Sequence, residues 1–183
     1  MNIIKRVTLV AAIAASTPTF AQLAGVSVQE INRGVLKAAT NYANGISCVD
    51  APATAKDILA LKPIRTPDDA SEAEFLVTWV GDIGCNGGSG TVGTNFAIVK
   101  VGSGGSFYVD PLRSSPAISV ALNTRFVERL VGNTRDTIVV DAADFGPNDS
   151  NQWPTLRFRY TLKVDAKGNW KQVERKPLPP RKG

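Results

Sequence analysis

The sequence has 183 residues, a formal charge of +5, two cysteines and no histidine. That length suits one domain with a sizeable core. The missing histidine excludes Ser-His-Asp and Cys-His catalysis, imidazole metal sites and histidine pH switches, while two cysteines with carboxylates make an unusual zinc set, so neither a metal nor a cofactor is expected.

Residues 1–21 read as a signal peptide. Lys5 and Arg6 precede the apolar run Val7 to Ala15, and Thr19-Phe20-Ala21 puts small residues at the two positions that signal peptidase reads, with cleavage expected after Ala21. The run is too short for a permanent anchor, Pro18 ends it, and no later segment approaches the roughly 20 apolar residues of a spanning helix. A periplasmic or secreted chain without a transmembrane anchor is therefore expected. Loss of Lys5 and Arg6 also reduces the positive surplus, so no nucleic-acid partner is expected. Two cysteines in an exported chain point to a disulfide between Cys48 and Cys85, which by loop-closure entropy would contribute about 4 kcal/mol.

Residues 22–174 form the expected domain. The clearest element is a helix over Val28 to Asn44, with Ile31, Val35, Ala39, Tyr42 and Ile46 on one side and Glu30, Arg33, Lys37, Asn41 and Asn44 on the other. Ser27 and Glu30 form a capping box at its start, and Gly45 is placed to supply a left-handed stop. Thr54 to Leu61 predicts a second, short helix ending before Pro63. From Phe75 the period becomes two, and Phe75 to Val80 is apolar on both sides, as a central strand is. Asn95 to Val101 and Ser106 to Asp110 predict one hairpin, and Thr124 to Val131 with Thr137 to Val140 a second. Leu112 to Ala121, broken by Pro116, fits no clear pattern. Leu156 to Val164 alternates cleanly, and a last strand is expected over Trp170 to Glu174, followed by a basic, Pro-rich tail over 175–183. A helix followed by a run of strands argues for an α+β fold in which the helix lies on one antiparallel sheet of six to seven strands.

Two segments stand out chemically. Gly81 to Asn95 is rich in glycine but has no Lys and no following helix, so it is not a phosphate loop. Asp141 to Pro154 carries Asp141, Asp144, Asn148, Asp149 and Asn151, hard oxygen ligands whose spacing matches no EF-hand loop. Loops held on a rigid sheet are where binding residues concentrate, so Asp82, Asn86, Ser89, Thr91 and Asn95, with Trp153 from the second segment, are the expected partner contacts. The segments Gly87-Gly88-Ser89-Gly90-Thr91 and Ile138 to Asp141, then Gly146-Pro147-Asn148-Asp149 and Pro154-Thr155, resemble a pattern in uncharacterised exported bacterial β-rich proteins, over roughly residues 75–174. Such proteins often carry a cysteine pair after the Gly-Pro-x-Asp turn, where this chain has Ser150 to Gln152. The resemblance implies a secreted β-rich module and no reaction.

With no nucleophile motif and no credible metal set, the expected role is a non-catalytic binding or accessory protein, partnered by a protein of the cell envelope or by a secreted toxin or hydrolase that it inhibits. The other class that the residues allow is a carboxylate-dependent hydrolase of envelope polymers, drawing on Asp82, Asp110, Asp141 or Asp144. The export reading makes one chemical prediction: the native chain should show no thiol to an alkylating agent until it is reduced, and then two, by intact mass. Two labelled cysteines without reductant would contradict it.

Overall fold

The computed structural model describes residues 27–88, 90–124, 126–150 and 154–179. The expected signal peptide over 1–21, Ser89, Trp153 and the last residues from 180 lie outside the described residues. Helix α1 (Val28–Ile46) begins at the expected capping box: the Glu30 amide donates to Ser27 Oγ (3.3 Å) and the Ser27 amide to Glu30 Oε2 (2.9 Å). Its buried stripe is Ile31, Val35, Ala39 and Ala43. The helix does not stop at a left-handed Gly45. It runs straight into β1 (Ser47–Ala51), because Ser47 is already extended and its hydroxyl and amide both donate to the Ala43 carbonyl, occupying an acceptor that a glycine cap would otherwise serve.

The helix expected over Thr54 to Leu61 is instead a single 3-10 turn, Ala55–Asp57, followed by β2 (Ile58–Lys62). Asp57 closes the turn by accepting from the Thr54 amide and hydroxyl, both at 2.7 Å. The apolar residues that follow pair with β3 (Glu74–Ile83) in the register Ile58 to Val77, Leu59 to Leu76 and Ala60 to Phe75. Tertiary pairing thus overrides a local helical pattern.

Strand β3 also pairs with β1, along Val80 to Ile83, and on its other side with β4 (Gly93–Val101), which carries the short β5 (Phe107–Val109). These five strands are one antiparallel sheet. A second sheet is the meander β6 (Phe126–Asn133), β7 (Thr137–Asp144), β8 (Leu156–Val164) and β9 (Trp170–Leu178). The protein is α+β as expected, with its hairpins where the pattern put them, but it has two sheets of five and four strands in place of one of six to seven.

The division has a local cause. Beyond β5, Ser114 and Ser115 occupy the free side of β4: Ser114 Oγ accepts from the Ile98 amide (2.8 Å), Ser115 Oγ accepts from the Phe96 amide (3.0 Å), and the Ser115 amide donates to the Phe96 carbonyl (2.8 Å). With those groups satisfied no further strand can join there. The chain then crosses through α2 (Ala117–Leu122) into the second sheet.

Three layers result. Phe75, Val77, Trp79, Ala97, Val99 and Val101 of the first sheet pack on α1, while Leu76, Phe96 and Ile98 face Ile118 and Leu122 of α2 and Ile138, Val140, Ala142, Tyr160, Leu162 and Trp170 of the second sheet. The last strand also runs past its expected end at Glu174: β9 continues to Leu178, with Lys176 opposite Arg159 and Pro177 opposite Phe158. An edge strand tolerates Pro177 because half of its amides have no ladder partner. No helix among the described residues is long and apolar enough to cross a membrane.

Disulfide Cys48–Cys85 is formed, with the Cα atoms 5.1 Å apart. It ties the start of β1 to the residue group just beyond β3. Gly34 shows how closely α1 sits on the sheet, since a Cβ there would stand 2.3 Å from Phe107 Cδ2, in a ring that itself meets Phe75 edge-on at 6.4 Å. Replacing a helical glycine by alanine ordinarily stabilises by about 1 kcal/mol, whereas overpacking costs about 1–3 kcal/mol. Gly34→Ala is therefore expected to lower the unfolding free energy, by about 1 kcal/mol, in urea denaturation; a gain would show that Phe107 moves aside freely.

Candidate functional site

The Gly-rich segment, α2 and the end of β7 meet around one solvent-open groove of about 610 Å³. One wall is the end of β3 (Gly81, Asp82, Ile83) with Asn86, Thr91 and the start of β4; the other is α2 and the chain after it, with Phe126, Asp144 and Phe145. The groove thus lies where one end of the first sheet faces one end of the second.

The Gly-rich loop is held from both sides. The Gly84 amide donates to the Ile46 carbonyl (2.8 Å), and Cys85 is anchored by its bond to Cys48 while adopting φ 52°, in the left-handed region. Close approach of β1 and β3 demands glycine at 81, where a Cβ would stand 2.8 Å from the Cys48 carbonyl oxygen. The remaining bonds come from the side chains that the sequence marks as partner contacts. Asp82 Oδ2 accepts from the Gly87 amide (2.8 Å), Asn86 Nδ2 donates to the Ile83 carbonyl (2.8 Å), Thr91 Oγ1 donates to the Gly88 carbonyl (3.0 Å), and Asn95 Nδ2 donates to the carbonyls of Gly81 (2.9 Å) and Gly93 (3.1 Å). Asp82, Asn86, Thr91 and Asn95 all line the groove, and each builds the loop with its polar end.

What the groove offers to solvent is more apolar. Val120, on α2, is 77% exposed, Val92 and Phe145 are exposed, and Phe126 meets Phe145 edge-to-face at 5.3 Å. Sequence reasoning missed these residues, although a lone valine among Gly and Thr in Gly90-Thr91-Val92-Gly93 was a usable signal. Val120 had none, because its helix lay in a stretch without clear periodicity.

The four acids considered for hydrolysis are distributed unequally. Asp82 and Asp144 line the groove. Asp144 is fully engaged: it accepts from Thr124 Oγ1 (2.6 Å), from Arg175 Nη2 (2.9 Å) and from the Tyr160 hydroxyl. Burial, followed by the hydrogen bond to Asp144, pushes the Tyr160 phenol above its usual range, so it remains a protonated donor. Asp110 lies outside the groove, paired with Lys100 at 2.7 Å. Asp141 is on the opposite face of the second sheet, where Arg159 Nε (2.7 Å) and Arg129 Nε (2.9 Å) both donate to it. The oxygen ligands of the Asp/Asn-rich segment are likewise dispersed, since Asp149 closes its own turn by accepting from the amides of Gly146 (2.7 Å) and Thr155 (2.6 Å). Among the described residues no three His, Cys, Asp or Glu side chains are grouped to hold a metal ion.

Compared with known proteins, the chain matches no family model, no curated protein and no solved structure.

Asp141 has a measurable signature. Hydrogen bonds from Arg159 pull its carboxyl below the usual range against the opposing effect of burial, and Arg129 adds to the pull. Because the folded value lies below that of the unfolded chain, near 3.9, this stabilisation is complete above the unfolded value and is lost as pH falls through the folded one. Asp141→Asn is expected to destabilise at neutral pH by about 2 kcal/mol, less than a fully buried pair because both guanidiniums reach water. The gap between variant and wild type in urea melts should close in acid; a gap independent of pH would show that the carboxylate charge is not what matters.

Proposed function

We propose that the protein is an exported, non-catalytic binding protein that engages a protein partner of the cell envelope through the groove between the Gly-rich loop and α2. The observation that carries this reading is the use of the groove's polar side chains. Asp82, Asn86, Thr91 and Asn95 are spent on the loop's own backbone, and Asp144 on Thr124, Tyr160 and Arg175, so the surface left for a ligand consists chiefly of backbone, the side-chain amide of Asn123 and the apolar side chains Val92, Val120 and Phe145. A site without an available acid, base or nucleophile suits recognition better than chemistry. An apolar rim on a braced loop suits a protein partner, because little conformational entropy remains to be lost on binding. Export is supported by the leader-like residues 1–21 and by the disulfide, which persists in oxidising compartments.

Val120 is the position to test, since its exposure lets a charge enter the groove without disturbing the core. Wild type used as bait on envelope extract should retain a partner that Val120→Asp loses, and Phe145→Ala should weaken retention at least tenfold, as a central aromatic contact would. The mature protein recovered from the same fraction should begin at Gln22. Equal retention by all three proteins would overturn the groove assignment. Turnover of an envelope polymer by purified protein, abolished by Asp82→Asn or Asp144→Asn, would overturn the non-catalytic reading in favour of a hydrolase.

A further inference from the structure

Charge is divided unevenly along the chain. Residues 125–183 carry twelve Lys and Arg against seven Asp and Glu, whereas residues 27–124 carry seven against nine. The basic half is the second sheet. One face of that sheet lies in the inter-sheet core through Val140, Ala142, Tyr160 and Leu162; the alternate residues point the other way and form a charged plate. Its central row, in register across all four strands, is Arg129, Asp141, Arg159 and Lys176, and a second row ends in Lys163 and Lys171.

Two features of the plate favour an anionic cover over it. Arg159 stands directly opposite Lys176, and Lys163 directly opposite Lys171, and like charges facing each other across strands are destabilising. The carboxylates under the middle of the plate are recessed while the cations project, whereas Asp136 and Glu174 at its rim are about half exposed and pair with Lys163 (3.7 Å) and Lys176 (2.8 Å). Asp141 is 0% and Glu128 12% exposed, against 64% for Arg129, 56% for Lys163 and 64% for Lys176. Asp141 also pins the guanidiniums of Arg129 and Arg159 in place, so those two cations are held ready before any ligand arrives.

The shape of the plate selects among anionic partners. Single-stranded nucleic acid is held in a channel with aromatic rings on which bases stack. Here the aromatic residues of the second sheet that pack in its core, Tyr160 and Trp170 with Phe158, are on the opposite face, and the cations spread over a broad four-stranded surface with no groove between them. The geometry points to the outer face of the second sheet as an electrostatic docking surface for an anionic phospholipid membrane. The protein binds there peripherally, through lysine and arginine contacts to lipid phosphates and without insertion, on the side of the molecule away from α1.

The test uses the mature chain, residues 22–183, co-sedimented with vesicles of phosphatidylcholine alone or of phosphatidylcholine mixed with phosphatidylglycerol. Binding is expected only to the mixed vesicles and should be lost as salt is raised. Changing Lys163→Gln, Lys171→Gln and Lys176→Gln together should lower the partition coefficient on the order of a hundredfold, while the urea midpoint stays the same or rises because the opposed charges are gone. Changing Arg33→Gln and Lys37→Gln on the exposed side of α1, or Val120→Asp in the groove, should leave vesicle binding as it was. Equal binding to phosphatidylcholine alone, no binding to the mixed vesicles, or unchanged binding by the triple variant would each overturn the proposal. So would tighter retention by DNA than by mixed vesicles at equal phosphate.

Discussion

Leu76 has no exposed surface, and neither has its neighbour Val77, although the two side chains point to opposite faces of β3. A strand apolar on both faces must be covered twice, and the architecture follows from that requirement. The stripe of α1 covers one face, and the second sheet with α2 covers the other. The crossing segment, placed by Ser114 and Ser115 on β4, is what permits this. Tyr42 reaches from α1 to donate to the Ser115 carbonyl (2.8 Å), and Trp170 donates from the second sheet to the Arg113 carbonyl (3.0 Å), so residues 113–115 are gripped from both outer layers. Glu74, at the start of the central strand, accepts from Arg113 (2.9 Å) and Lys62 (3.1 Å) and fixes the same segment electrostatically. Buried ion pairs add little net stability, but these positions set where the crossing segment lies.

The opposite end of β3 is organised around the junction of α1 and β1. Ser47 ends the helix through Ala43, accepts from the Trp79 indole (3.2 Å), and is followed at once by the disulfide cysteine. Helix end, strand start and loop anchor thus fall within three residues. The Gly-rich loop would otherwise be expensive to order, since glycine loses the most backbone freedom. Here the covalent anchor at Cys85 and the side-chain bonds of Asp82, Asn86 and Thr91 have already ordered it, which is what lets such a loop serve as a surface.

The second sheet solves a different problem. It ends in β9, an edge strand with one side unpaired, and exposed edges invite pairing with another chain. Lys171, Lys176 and Pro177 on that strand oppose such pairing, two by charge and one by lacking an amide donor. Basic residues on the second sheet therefore protect its edge as well as crowding its outer face, and Arg175, turned toward the core side, stacks its guanidinium 3.5 Å from the Phe158 ring centre while holding Asp144 at the groove. The stretch from Trp170 to Leu178 thus supplies packing, edge protection and charge.

Local signals settled the elements whose determinants lie within a few residues of one another. Ser27 with Glu30 and the stripe from Ile31 to Ala43 specify α1; alternation specifies β8; the double-sided apolar run from Phe75 specifies a central strand; and the cysteine count specifies the disulfide. What the sequence could not decide depended on distant partners. Ile58 to Leu61 became a strand because β3 offered an unpaired side, the sheet divided because two serines sixteen and nineteen residues along the chain took the amides of Ile98 and Phe96, and β9 continued past Glu174 because β8 still had residues to pair. The candidate site divides in the same way. Composition marked the Gly-rich loop, but only the folded chain could bring it to Val120 and Phe145 and turn its polar side chains onto its own backbone, since hydrogen-bond partners and exposure are properties of three-dimensional packing and not of spacing along the chain.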